Sequence, residues 1–204
     1  SLEEIALLLR SISLSSQKIT IRVQDALISL VKSPQSAVTL KGLDMQAVVI
    51  NSSGGVKIIL QDLRSAVPKL RLSGTFMADP ALPLISLDLR GQGNDVPAVR
   101  AAALTLADDM PVVYKIFDIL RSGTVEDISF QSKGSSPGDL GKTANMKIKG
   151  RLDKGGILLS RLGLDFRDVS GDCKIEDGIL QGRDLKGGIM HTRISDGKLS
   201  VGLK

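Results

Sequence analysis

The sequence predicts an α+β, mainly β fold: a long curved antiparallel sheet, a groove or half-open barrel, with a short helical pair and an N-terminal helix. Three observations carry this. Apolar–polar alternations of period two recur along most of the 204 residues, the pattern of strands with one wet face. They are punctuated by Gly beside Asp or another Gly, as in "DVSGDCKIEDGILQGRDLKGGIMHTRISDG" from Asp168 to Gly197, where chain reversals need positive φ. One interior stretch, "NDVPAVRAAALTLADDMPVVYKIFDILRSG", is instead rich in Ala and Leu and carries two helix starts.

In chain order, Ser1 can cap a short amphipathic helix with Leu2, Ile5, Leu8, Leu9 and Ile12 near one face, and Glu3 and Glu4 in the first turn. "KITIRV", "ALISLV", "AVTLKGL", "MQAVVI" and "VKIIL" read as successive strands, and "KSPQS" and "NSSGG" have turn composition. "KLRLSGTF" and "LISLDLRG" flank the turn "ADPALP". Asp95 is an N-cap with Pro97 in the first helical turn. Asp109 caps a second helix with Pro111 in its first turn and Val113, Ile116, Phe117 and Leu120 on one face. Gly123 suits the left-handed C-terminal position. Alternation then resumes in "VEDISFQ", "NMKIKGRL", "RLGLDFRD", "DCKIED" and "KLSVGLK", with "DKGG", "EDG" and "SDG" read as turns. The organisation is 1–95 helix and meander, 96–123 helical pair, and 124–204 C-terminal strands, together one structural domain.

Composition narrows the function classes. With four Phe, one Tyr and no Trp, the apolar surface is almost wholly aliphatic, which leaves little to stack on nucleobases or sugars; no nucleic-acid partner is expected. The net charge of +5 is spread among acids rather than gathered in runs, the pattern of a solvated surface. The lone Cys173 reads as a small hydrophobe. No run of apolar residues is long enough for a membrane-spanning helix, and "SLEEIALLLRSI" lacks the basic start of a signal peptide. A chain starting with Ser reads as a portion of a longer polypeptide whose anchor lies elsewhere.

Catalytic patterns are weak. "SPGDLGKT" ends like a phosphate-binding loop, but Ser136 replaces the first Gly and strand pattern follows Thr143. "GQGNDV" has Val96 where a dinucleotide fingerprint needs its third Gly. His191, the single histidine, cannot build a multi-histidine metal site, and the pairs Asp108/Asp109, Glu126/Asp127 and Glu176/Asp177 sit at caps or turns. Asn51-Ser52-Ser53 fits a glycosylation acceptor, a pattern too short to weigh. No enzyme activity, cofactor or metal is expected.

An aliphatic face needs a cover. Ten strands of about five residues give roughly 800 Å², and three short helices shield on the order of 160 Å² each. The sheet therefore either curls onto itself as a sandwich or barrel, or stays open as a trough that meets an apolar partner. Alternation alone does not distinguish a core from a lining.

"RLSGTF", "FDILRSGTVEDISF", "NMKIKGRL", "LGLDFRDVSGDCKIEDGILQGRDLKGG" and "SDGKLSVGL", spread over about residues 70–204, resemble the C-terminal region of AsmA-like proteins, a bacterial envelope family with large YhdP-type members. The resemblance implies a protein anchored in the inner membrane by an N-terminal helix that extends through the periplasm, similar to repeating β-groove bridges that conduct phospholipid and carry no catalytic residues. Its partners would be phospholipid or another acyl-chain ligand, neighbouring modules of the same full-length chain, and the membrane through the missing anchor. On that footing the alternation places Ile128, Phe130, Met146, Ile148, Leu162, Leu164, Phe166, Ile175, Leu199 and Val201 along the groove. Two functional expectations stand: a section that shields or conducts acyl chains between inner and outer membrane, and a closed β-sandwich adaptor of an envelope assembly.

Overall fold

The structure is a computed structural model that describes residues 18–33, 36–52, 55–79, 84–106 and 111–203. The helix expected from Ser1 to Ile12 and the Asp109 cap lie outside the described residues. Among the described residues ten strands form one antiparallel sheet in strict chain order: β1 (Lys18–Ser33), β2 (Ser36–Ser52), β3 (Gly55–Ser65), β4 (Leu70–Asp79), β5 (Leu84–Asp95), β6 (Leu120–Gly134), β7 (Met146–Leu159), β8 (Leu164–Glu176), β9 (Ile179–Ile189) and β10 (Thr192–Gly202). β1 and β10 do not pair, so the sheet is not closed into a barrel. Two short helices, α1 (Val96–Leu106) and α2 (Pro111–Ile119), connect β5 to β6 at the positions expected from Pro97 and Pro111. No second sheet faces the first among the described residues, so the two-sheet sandwich does not form.

The strands run from 10 to 17 residues, two to three times the expected length. "KITIRV" and "ALISLV" fuse into β1, "AVTLKGL" and "MQAVVI" into β2, and "DCKIED" continues β8 from Leu164. The physical reason is that a bulge and a turn use the same chemistry. Asp177-Gly178 is a true hairpin turn, but Lys154-Gly155 and Asp196-Gly197 lie inside β7 and β10, with Lys154 at φ 49 and Asp196 at φ 58. Gly123, expected to end a helix, instead sits in β6 at φ 110, its Cα so near β7 that a Cβ would stand 2.6 Å from the Cα of Gly155.

These kinks align. Asp25, Gly42, Gly93, Gly123, Lys154, Asp168, Asp184 and Asp196 all have positive φ, one in each of eight strands, at the middle of the strand or toward its helix-bearing end. A bulge adds local right-handed twist and bends its strand. Repeated across the sheet, the bulges make a fold line, and the sheet bends around the helices: α1 touches β1 and β2 near one edge as well as β5 and β6 in the middle.

The main core lies under the helices. Val96, Val112, Val113 and Phe117 pack on Val125, Leu152, Ile157, Val169 and Leu185 of the sheet. A smaller cluster joins Ala98 of α1 to Leu40, Leu43 and Leu70. The α2 face follows from its 3.6-residue period, with Val113 and Phe117 on one side and the exposed Tyr114 on the other. Asn94, fully buried, ties the end of β5 to β4: its Oδ1 accepts the Arg71 N–H at 2.7 Å and its Nδ2 donates to the Arg71 carbonyl at 3.4 Å.

Candidate functional site

The strand register brings the apolar side chains of distant segments into lines across the sheet. One line reads Ile21, Ala47, Leu60, Gly74, Leu89, Phe130, Ile148, Ile175, Leu180 and Val201, one residue from each of the ten strands, each opposite the next. A parallel line reads Val23, Met45, Leu63, Leu72, Gly91, Ile128, Gly150, Cys173, Gly182 and Leu199. A third runs from Ile19 through Val49, Ile58, Phe76, Leu87 and Ser132 to Met146. Neither of the two full lines contains a charged residue or a polar side chain beyond the thiol of Cys173. With nine spacings of ~4.8 Å, each full line follows the sheet for about 43 Å.

Most of these side chains are neither sealed nor free. Leu60, Leu72, Leu89, Ile128, Phe130, Ile148, Leu180, Leu199 and Val201 are all half-buried, whereas Val125 and Leu152, under the helices, are buried. Area explains the difference. At ~3.3 Å per residue and ~4.8 Å between strands, strands of the observed lengths present a face of roughly 2,000 Å². Two helices of 11 and 9 residues shield about 300 Å² of it. At the opposite end, the β6–β7 connection adds a smaller cover: Leu140, 2% exposed, lies over the third line, and its carbonyl accepts the hydroxyl of Ser132 at 2.9 Å.

Of the residues expected along the groove, Phe130, Ile148, Ile175 and Val201 fall on the first line, Ile128 and Leu199 on the second, and Met146 on the third. Met146 and Ile175 are buried. Phe166 lies beyond the Asp168 bulge, opposite Ile157 and Ile189, and packs on the main core; Leu164 pairs with Leu159 at the strand end. Leu162 is corrected: it belongs to a 3-10 turn, Ser160–Leu162, is 68% exposed, and does not share the face. Gly163 at φ 64 reverses the chain there, so the alternation read through "RLGLDFRD" starts only at Leu164.

The alternation in "KITIRV" puts Ile19, Ile21 and Val23 on one side, as found, but none of the groove residues expected from the sequence lies on β1–β5. In "AVVI" and "KIIL" apolar residues are consecutive, so Val48 and Ile59 point away from Ala47, Leu60 and Ile58, and period two is hidden. The cross-strand partners would have been the signal, and they follow from register rather than local pattern. A crevice of about 80 Å³ opens on the same face between Ile157, Phe166, Val169, Leu185 and Leu199.

The other face is polar and broadly open, with a depression of about 1130 Å³ that spans β3 to β9. Several of its cations are paired: Arg151 meets Glu126 at 3.2 Å and Asp172 at 3.7 Å, Lys147 meets Glu176 at 2.7 Å, and Lys174 also bonds Glu176. Hydrogen bonds from Lys147 and then Lys174 hold the Glu176 carboxyl down at about 2. A carboxylate held below its unfolded value of 4.5 contributes stability above that value and loses it as pH falls toward 2. Urea unfolding at pH 5 and at pH 2.5 is therefore expected to show a smaller acid loss for Glu176→Gln than for the parent chain; equal losses would remove the carboxylate from the account. Burial first, and then the charge of Asp172, pushes the Cys173 thiol up to about 11, so it lines the apolar face as a neutral group.

The phosphate-loop candidate folds otherwise. Pro137–Gly141 and Thr143–Asn145 are short 3-10 turns, and the Asp139 carboxylate accepts the N–H groups of Ser135 and Ser136 at 3.0 Å, where a phosphate would have needed them. His191 is exposed in the β9–β10 turn. Among the described residues, no group of His, Cys, Asp and Glu is placed to hold a metal ion, and no helix is long and apolar enough to cross a membrane.

No protein-family model matches this chain, and neither a curated protein nor a solved structure matches it. The site is therefore defined by its geometry: an open ten-stranded meander whose aliphatic face continues, strand to strand, across the full width of the sheet.

Proposed function

We propose that the protein is a non-enzymatic section of a bacterial envelope protein that shields or conducts phospholipid acyl chains between the inner and outer membrane, working in the periplasm within a longer, inner-membrane-tethered chain. The observation that carries this reading is the pair of unbroken apolar lines, about 43 Å long, of which the helices cover only one margin. One leaflet's acyl chains occupy about 15 Å, half of a ~30 Å hydrocarbon core, so the track is longer than a single lipid. Its side chains suit acyl contact: each methylene removed from water contributes about 0.8 kcal/mol without directional demands, so a chain can shift along the lines at nearly constant energy. The mixed-charge opposite face remains in water. The resemblance to AsmA-like proteins supports the same reading and supplies the envelope setting.

Native mass spectrometry of the gently purified protein tests it. The expected result is a population carrying phospholipid mass that is stripped by detergent. A protein that is repeatedly empty under mild conditions, and takes up no lipid from vesicles, would favour an adaptor that docks protein on the same face.

A further inference from the structure

The two ends of the sheet are unlike. The helix-bearing end holds the β1–β2, β3–β4, β7–β8 and β9–β10 turns; the other end holds the β2–β3, β4–β5, β6–β7 and β8–β9 connections. Three of the four turns at the helix-bearing end carry an exposed aliphatic or thioether side chain: Val67, whose backbone pairs with Lys41 of β2, is 57% exposed, Leu162 68% and Met190 89%. At the opposite end, among the described residues beside the turns, Met77, Leu84 and Ile179 are 38–39% exposed.

Charge divides the same way. The opposite connections, 52–55, 79–84, 134–146 and 176–179, hold Asp79, Asp139, Glu176 and Asp177 against Lys142. The hairpin turns at the helix-bearing end, 33–36, 65–70, 159–164 and 189–192, hold Lys69 and Arg161 and no acid. Arg193 stands directly after the last of them and is exposed, as is Lys69. Arg64 and Arg71, beside the β3–β4 turn, share Asp62, and Arg167 is bound to Asp165. The helical connection is balanced, with Arg100, Lys115 and Arg121 against Asp108, Asp109 and Asp118.

Met190 adds an independent observation. It has φ 50, at the first central position of a two-residue hairpin turn, where Gly is the usual residue because a side chain is strained there. A bulky, 89% exposed thioether in that place contributes nothing to the fold that Gly would not do better.

We propose that these tips, Val67, Leu162 and Met190, dip into the interfacial zone of an anionic phospholipid bilayer, with the exposed Lys69 and Arg193 held at the headgroup level. Apolar tips ringed by cations match that boundary, where acyl chains lie just beneath phosphates. The helix-bearing rim would then face the membrane, and the apolar lines, which cross the strands, would run alongside the bilayer surface, which suits shielding of acyl chains rather than their passage from one membrane to the other. The inference rests on residues outside the apolar lines and extends beyond the lipid-carrying reading.

Vesicle flotation tests it, with phosphatidylcholine vesicles and with vesicles containing phosphatidylglycerol as well. The parent chain is expected to float with the anionic vesicles, less with the neutral ones, and less again in high salt. Val67→Ser, Leu162→Ser and Met190→Ser combined should lower binding at least about tenfold while the fold is kept, since all three are exposed. Leu84→Ser with Ile179→Ser, at the other end, should leave binding unchanged. Failure of the parent to float, full binding by the triple variant, or an equal loss in the opposite-end control would overturn the proposal. The groove variant Leu60→Asp with Leu89→Asp keeps the two ideas apart: it should still float, and the triple variant should still co-purify with lipid.

Discussion

Asn94→Ala is expected to lower the unfolding free energy by about 3 kcal/mol, the loss of two hydrogen bonds at about 1 kcal/mol each plus the penalty for stranding a partly buried main-chain donor. The β4–β5 ladder ends at Leu72 opposite Gly91, and the positive φ of Gly93 then carries β5 away toward β6, where Asn94 pairs with Val125. Arg71 has lost its strand partner on that side. The Asn94 amide replaces it, because a carboxamide offers a donor and an acceptor at nearly the spacing of a peptide group. Gly91 makes the room: a Cβ there would stand 2.4 Å from Asn94 Nδ2. Asn94→Asp, which keeps the volume but loses the donor and buries a charge, should be no better than Ala. Urea titration reads both, and a loss under about 1 kcal/mol for either would show that water serves Arg71 as well.

The second large effect concerns the apolar lines. Leu60 and Leu89 flank Gly74 on the first line, are half-buried, and belong to neither core cluster. Leu60→Asp combined with Leu89→Asp should therefore give a folded protein that loses nearly all co-purified phospholipid, since a carboxylate in an acyl path costs several kcal/mol unless a partner neutralises it. Leu152→Asp, at a position 3% exposed beneath the helices, should unfold the chain instead. Circular dichroism and lipid mass spectrometry on the same preparations separate the outcomes. A folded double variant that retains its full lipid load would disconnect this face from lipid.

Much of this architecture was legible in the residues. The helix starts at Pro97 and Pro111, the wet and dry sides of β6, β7 and β10, and the meander order all follow from local pattern, because each strand pairs with its chain neighbour. Strand length was not legible, since Asp196-Gly197 inside β10 and Asp177-Gly178 in a hairpin are the same dipeptide with the same positive φ at Asp. What separates them is pairing on either side, a non-local fact. Leu162 was misplaced for a related reason: the pattern "RLGLD" alternates, but its Gly turns the chain rather than extending it. Asn94 carried no signal, because a polar residue before a helix reads as part of a cap until its burial is known.

Strict neighbour-to-neighbour pairing has a kinetic consequence. Every ladder closes over a short stretch of chain, the longest being the helical excursion between β5 and β6, so the entropy lost in forming each contact is small and the sheet can grow hairpin by hairpin as the chain emerges. Assembly of this kind needs no completed nucleus at its far edge. Ending the chain after Ile189 should therefore leave β9 as a serviceable border strand, refolding at close to the parent rate, at a lower stability because the lost span takes Leu203 out of the main core.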